Sequence, residues 1–89
     1  MKPFAITVQE ANLLDRVASA TKMDCWFYID EDLHAHDLEG ALPNASDAEL
    51  VCVLEDGLGY GLTEPQSGGL TEEEAKIVQA CFNRARDSI

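Results

Sequence analysis

Between Met23 and Ala75 the chain has no lysine and no arginine, although fourteen of its seventeen acidic residues lie there. Phosphate contacts need cations, so direct binding to DNA or RNA is disfavoured, and an anionic membrane surface is disfavoured for the same reason. No apolar run approaches the roughly 20 residues that cross a bilayer. Met1–Ala5 carries one charge, at Lys2, and Gln9 and Glu10 arrive before any apolar stretch, so a secretory leader is not expected. Cysteine is scarce and odd in number. Cys25, Cys52 and Cys81 are far apart and form no CxxC pair, which argues against a disulfide framework, a zinc knuckle or a thioredoxin-like site. Each lies in an apolar stretch, so three reduced, buried thiols and a cytoplasmic location are the expectation.

Catalytic signatures are missing as well. Gly57-Leu58-Gly59-Tyr60-Gly61 does not match GxGxxG, no lysine follows it, and Glu55, Asp56 and Glu64 would repel phosphate. Those glycines read as a tight turn or a close approach of chains. No nucleophile elbow accompanies the two histidines, and a thin core encloses little pocket. Catalysis is not expected.

What the chain does have is apolar content, 46% of 89 residues, enough to fold as a single domain over 1–89. Its formal charge is −11, and the basic residues Lys2, Arg16, Lys22, Lys76, Arg84 and Arg86 all lie toward the two ends. Thr7-Val8-Gln9-Glu10 is a capping box, and Leu13, Leu14, Val17, Ala18 and Thr21 follow at helical spacing, predicting a helix over 8–22 with Lys22 at its negative end. Cys25-Trp26-Phe27-Tyr28-Ile29 is rich in aromatic and β-branched residues and predicts a strand over 24–30. Asp30-Glu31-Asp32 makes a turn, and 33–39 returns as the antiparallel partner. Residues 46–63 admit two readings. Ser46-Asp47-Ala48-Glu49 caps a third helix, with Gly57 closing it. Against this, the short run Leu50–Leu54 followed by Asp56-Gly57 suits a second hairpin, with Leu58, Tyr60 and Leu62 on the return strand. The complete local cap favours the helix. Residues 65–69 read as a flexible loop. Thr71-Glu72-Glu73-Glu74 then caps a helix over 72–87 with Ala75, Val78, Phe82 and Ala85 on its buried stripe, and Arg84 and Arg86 at its negative end. The fold class is α+β, with two terminal amphipathic helices flanking a small antiparallel sheet. The sheet and central loops should form the acidic face.

Two constellations carry chemistry. In a strand, His34 and His36 share a face, so with Asp32 or Asp37 they suit a divalent metal held weakly; no other cofactor is expected. Asp32-Leu33-His34-Ala35-His36 resembles the metal-binding strand motif of the amidohydrolase and PHP-type hydrolases. The resemblance covers those five residues. Such enzymes assemble their site from several strands of a barrel of about 250 residues, which this chain is too short to house. Calcium-loop spacing fails, because His34 takes the third ligand position. The second constellation is Trp26 and Tyr28, which a strand places opposite Cys25, Phe27 and Ile29. Aromatics in small domains are mostly core, so cover on both faces is the first expectation. If Phe27 faces the core instead, Trp26 and Tyr28 form an outer patch rimmed by Asp30, Glu31, Asp32, Asp37 and Glu39, like an interface hot spot.

The leading expectation is therefore a non-catalytic interaction module whose acidic face docks on a basic surface of another protein. One form of it is an inhibitor that mimics nucleic acid and occupies the groove of a nucleic-acid-binding enzyme, as phage and mobile-element inhibitors do. The alternatives are a metal-binding module built on His34 and His36, and a structural or homo-oligomeric accessory domain; the chain itself is expected as a monomer or a homodimer.

Overall fold

The computed structural model describes residues 4–89; Met1, Lys2 and Pro3, and with them the leader reading, lie outside the described residues. Three helices and one two-stranded antiparallel sheet follow in the order α1 (Val8–Ala20), β1 (Phe27–Ile29), β2 (Ala35–Asp37), α2 (Asp47–Asp56) and α3 (Glu72–Ser88). Each helix starts at the capping box read from the sequence. Thr7, Ser46 and Thr71 accept from the backbone N–H of Glu10, Glu49 and Glu74, whose carboxylates reach back to the cap N–H. The radius of gyration is 11.9 Å, matching the roughly 12 Å of one compact chain of this length.

The helices flank the sheet: α1 lies against β1 and α2 against β2, while α3 crosses α1 and α2. Leu14, Val17, Val51, Leu54, Val78 and Phe82 meet in the centre, each with essentially no surface left to water. Burying side chains of this size contributes about 1.5–3 kcal/mol apiece. Phe27 and Ala35 are the sheet's buried inward residues, and Ile29 and Leu33 pack against the same cluster half-buried.

Several boundaries differ from the sequence reading. α1 stops at Ala20, because Lys22 adopts a left-handed conformation (φ 63°) that turns the chain. Lys22 therefore lies past the helix end, and no basic residue sits in the last turn of α1. Met23–Cys25 forms a 3-10 turn rather than the start of a strand, so β1 begins at Phe27 and the return strand contracts to Ala35–Asp37. The cause is Met23, which is buried, its thioether filling the space over Gly57. A Cβ at Gly57 would overlap that sulfur. Gly57 ends α2 in a right-handed conformation (φ −78°), so this glycine is needed for room and not for a left-handed turn.

Residues 46–63 contain the helix and no second hairpin; Leu58 and Leu62 lie half-buried on the core while Tyr60 is exposed. The stretch read as a flexible loop holds a 3-10 turn, Pro65–Ser67. It is pinned by the Gly69 N–H to Glu64 C=O bond and by the buried Ser67 hydroxyl, which donates to Tyr60 C=O. On α3, Cys81 joins Val78, Phe82 and Ala85 on the buried stripe, and Ala75 is half-buried. Only Cys81 is a fully buried thiol; Cys25 is exposed and Cys52 intermediate, because the 3-10 turn carries Cys25 off the sheet.

Candidate functional site: the outer face of the hairpin

The hairpin pairs Phe27 with Asp37, Tyr28 with His36 and Ile29 with Ala35. Its turn is built by one carboxylate. Asp30 Oδ1 accepts from the N–H of Asp32 (2.8 Å) and of His34 (3.0 Å). The Leu33 N–H closes a turn on Asp30 C=O at 3.0 Å. Leu33 then takes the left-handed position (φ 61°) that glycine usually occupies in a three-residue hairpin loop. It does so with its side chain anchored on the core. The second Asp30 oxygen meets His36 Nε2 at 2.5 Å. The His34 N–H, and after it the His36 imidazole, hold the Asp30 carboxyl below the usual aspartate range.

With Phe27 and Ala35 directed inward, the alternate residues face water. Trp26 is 47% exposed, Tyr28 46% and Leu38 52%. They form cross-strand neighbours. Tyr28 stacks on His36 with ring centroids 4.9 Å apart and planes 18° from parallel. Trp26 sits opposite Leu38, whose N–H donates to Trp26 C=O at 2.7 Å. Among the described residues no helix covers this face, contrary to the expectation that both sides of the strand are buried. The physical reason is size: α1 and α2 are used on the inner side, and α3 packs on those helices rather than on the sheet.

The acidic residues split into two groups by what their carboxylates do. Asp30 builds the turn. Asp37 fastens the following loop, accepting from the N–H of Glu39 (3.1 Å), Gly40 (3.1 Å) and Leu42 (2.6 Å). Glu31, Asp32 and Glu39 are exposed, and their carboxylates have no hydrogen-bond or ion-pair partner among the described residues. The arginines are occupied elsewhere. Arg16 pairs with Glu74, Arg84 with Glu10 and Arg86 with Glu55. The hairpin face is thus aromatic at its centre and anionic at its rim, with no arginine in an ion pair there.

The residues read as metal ligands are not brought together. Asp37 is committed to its loop, His36 to Asp30 and Tyr28, and Asp32 lies at the exposed tip. Among the described residues no group of three or more His, Cys, Asp or Glu side chains is placed to hold a metal ion. Comparison with protein-family models, with curated proteins and with solved structures finds no match in any of the three.

Sequence reading missed Leu38, the fourth member of the outer face, although continuing the alternation from His34 and His36 points to it. It also missed the division of labour among the acids, for which the available signal was weak: Asp30 sits at the first position of a turn, where its side chain commonly caps backbone N–H groups. No helix among the described residues is long and apolar enough to cross a membrane.

Proposed function

We propose that the protein is a non-catalytic interaction module that docks the outer face of its hairpin on a basic surface of another protein. The observation that carries this reading is the exposed quartet Trp26, Tyr28, His36 and Leu38, bordered by the unpaired carboxylates of Glu31, Asp32 and Glu39. Exposed aromatics at the centre of a charged rim are what hot spots look like, since the rings supply contact area at small entropic loss. Tryptophan and tyrosine faces also attract guanidinium and ammonium groups, which the rim carboxylates reinforce. The opposite-charge match would speed encounter and make it salt-dependent.

The more specific form is nucleic-acid mimicry, with the free carboxylates standing where phosphates stand in the groove of a nucleic-acid-binding enzyme, in a reducing compartment such as the cytoplasm. The absence of lysine and arginine from Met23 to Ala75 supports it. The test is capture of a partner from nuclease-treated lysate on the immobilised protein, eluted along a salt gradient. Docking through this face predicts that capture is lost in the combined Glu31→Gln, Asp32→Asn and Glu39→Gln variant. Mimicry adds that a short DNA duplex displaces the partner. Retention that ignores all three carboxylates would overturn both forms.

A further inference from the structure

We infer that the outer face of the hairpin selects arginine over lysine, so that the partner presents an arginine-rich segment whose guanidinium groups lie flat on Trp26 and Tyr28 and fork onto the rim carboxylates. The inference rests on the docking reading and names the basic side chain that this face takes.

The same parts already hold an arginine elsewhere in the molecule. Arg84 lies 5.5 Å from the centre of the Phe4 ring. Its Nη1 and Nη2 donate to the two Glu10 oxygens at 2.6 and 3.0 Å. A ring together with a forked carboxylate suits a guanidinium, which is planar and weakly hydrated. An ammonium group has no flat face and holds its water more strongly, so it gains less on a ring. The outer face offers both parts without an arginine in them. Trp26 and Tyr28 are about half exposed, and the carboxylates of Glu31, Asp32 and Glu39 have no partner among the described residues. Arg16, Arg84 and Arg86 are each paired with a carboxylate elsewhere.

The Tyr28 ring is set before a partner arrives. Asp30 is fixed through Oδ1 by the Asp32 and His34 N–H groups, and its Oδ2 meets His36 Nε2 at 2.5 Å. His36 in turn stacks on Tyr28, with 4.9 Å between centroids and 18° between planes. This chain of contacts from turn to ring leaves Tyr28 little freedom to lose on binding, and preorganisation of that kind raises affinity. Carboxylates stand at both ends of the face. Glu31 and Asp32 lie in the turn after β1, while Glu39 lies just past β2, next to the Leu38 that sits opposite Trp26. A segment carrying more than one arginine therefore meets rings and carboxylates together.

Trp26 is the one tryptophan of the chain, so its fluorescence reports this face alone. The test titrates the intact protein at low salt with a capped Gly-Arg-Gly-Arg-Gly peptide and with its lysine counterpart. Binding is followed by Trp26 emission and by NMR of the Tyr28 and His36 rings and the Leu38 amide. The arginine peptide should bind at least about fivefold more tightly than the lysine peptide. In the NMR titration that preference should survive Trp26→Phe with Tyr28→Phe, which keep the rings, and vanish in Trp26→Leu with Tyr28→Leu. Both peptides should weaken in the combined Glu31→Gln, Asp32→Asn and Glu39→Gln variant. Equal affinity for the two peptides would overturn arginine selection while leaving docking to rest on charge alone. A preference that persists in the leucine pair, or no response of the face at about ten millimolar of either peptide, would overturn it as well. Partner capture that ignores the three rim carboxylates, beside a clear arginine preference in this titration, would instead overturn the docking reading and leave the arginine seat.

Discussion

Removing the Glu10 carboxylate perturbs the fold where the N-terminal segment is tied to α3. Glu10 is 5% exposed. One oxygen accepts the Thr7 N–H at 2.9 Å and Arg84 Nη2 at 3.0 Å, while the other accepts Arg84 Nη1 at 2.6 Å. Arg84 also donates to Ala5 C=O at 3.2 Å and lies 5.5 Å from the centre of the Phe4 ring, so the pair holds the segment before α1 against α3. Losing the reciprocal half of a capping box costs about 0.5–1 kcal/mol. Breaking a fully buried pair costs about 3–5 kcal/mol, but the Arg84 side chain is 46% exposed and can rehydrate, so a value near 1–1.5 kcal/mol is appropriate here. Glu10→Ala is therefore expected to lose about 2 kcal/mol, or roughly 8–16 °C in Tm for a domain of this size. Glu10→Gln keeps an acceptor for Thr7 and should lose about half as much. Burial pushes the Glu10 carboxyl up, but Arg84 and Thr7 outweigh it and hold the pKa below the ordinary 4.5. The stabilisation is then complete above pH 4.5 and fades as the pH falls through the lowered folded value. Thermal melts monitored by circular dichroism between pH 3 and 7 read both effects. A Glu10→Ala melting point within about 3 °C of the unaltered protein, under 1 kcal/mol, would refute the reasoning.

Asp30→Asn should keep the Asp32 and His34 amide resonances in place, because an amide oxygen still caps the turn, whereas Asp30→Ala should shift both and loosen the Tyr28–His36 stack. Because the Asp30 carboxyl is held below its ordinary 3.8, the turn should loosen only as acid takes the pH below that value; loosening that begins near pH 6 would contradict the assignment. Gly57→Ala should destabilise by about 1–2 kcal/mol in urea titration, since Met23 must leave its buried seat, whereas the same glycine substitution made in a Met23→Ala background should add little to the cost of losing Met23. With Ellman's reagent, Cys25 should react first and Cys81 only on unfolding, because burial, and then the charge of Glu10, pushes the Cys81 thiol up to about 12; rapid labelling of all three thiols would contradict the described core.

Features set by neighbours in the chain were legible. Three capping boxes marked three helix starts, because a cap is satisfied within four residues. The same local logic favoured a helix after Ser46. Features set by distant contacts were not. The turn at Met23–Cys25 depends on Met23 meeting Gly57, 34 positions later, and strand propensity at Cys25 and Trp26 carries no trace of that contact. Strand alternation correctly separated Trp26 and Tyr28 from Phe27, but which face stayed uncovered depended on how three helices divide a small core. Composition likewise showed the acids without showing that Asp30 and Asp37 are spent on backbone N–H groups while Glu31, Asp32 and Glu39 are free. That distinction matters for testing: neutralising Asp30 or Asp37 disturbs the hairpin itself, and only the other three report on docking.

The most direct test of the docking surface is partner capture from nuclease-treated lysate by the unaltered protein beside a Trp26→Ala, Tyr28→Ala variant, after circular dichroism has shown that both fold. Docking through the outer face predicts that the protein captured by the unaltered chain elutes with salt and is absent, or at least tenfold depleted, from the variant. Equal capture by the two chains would contradict it.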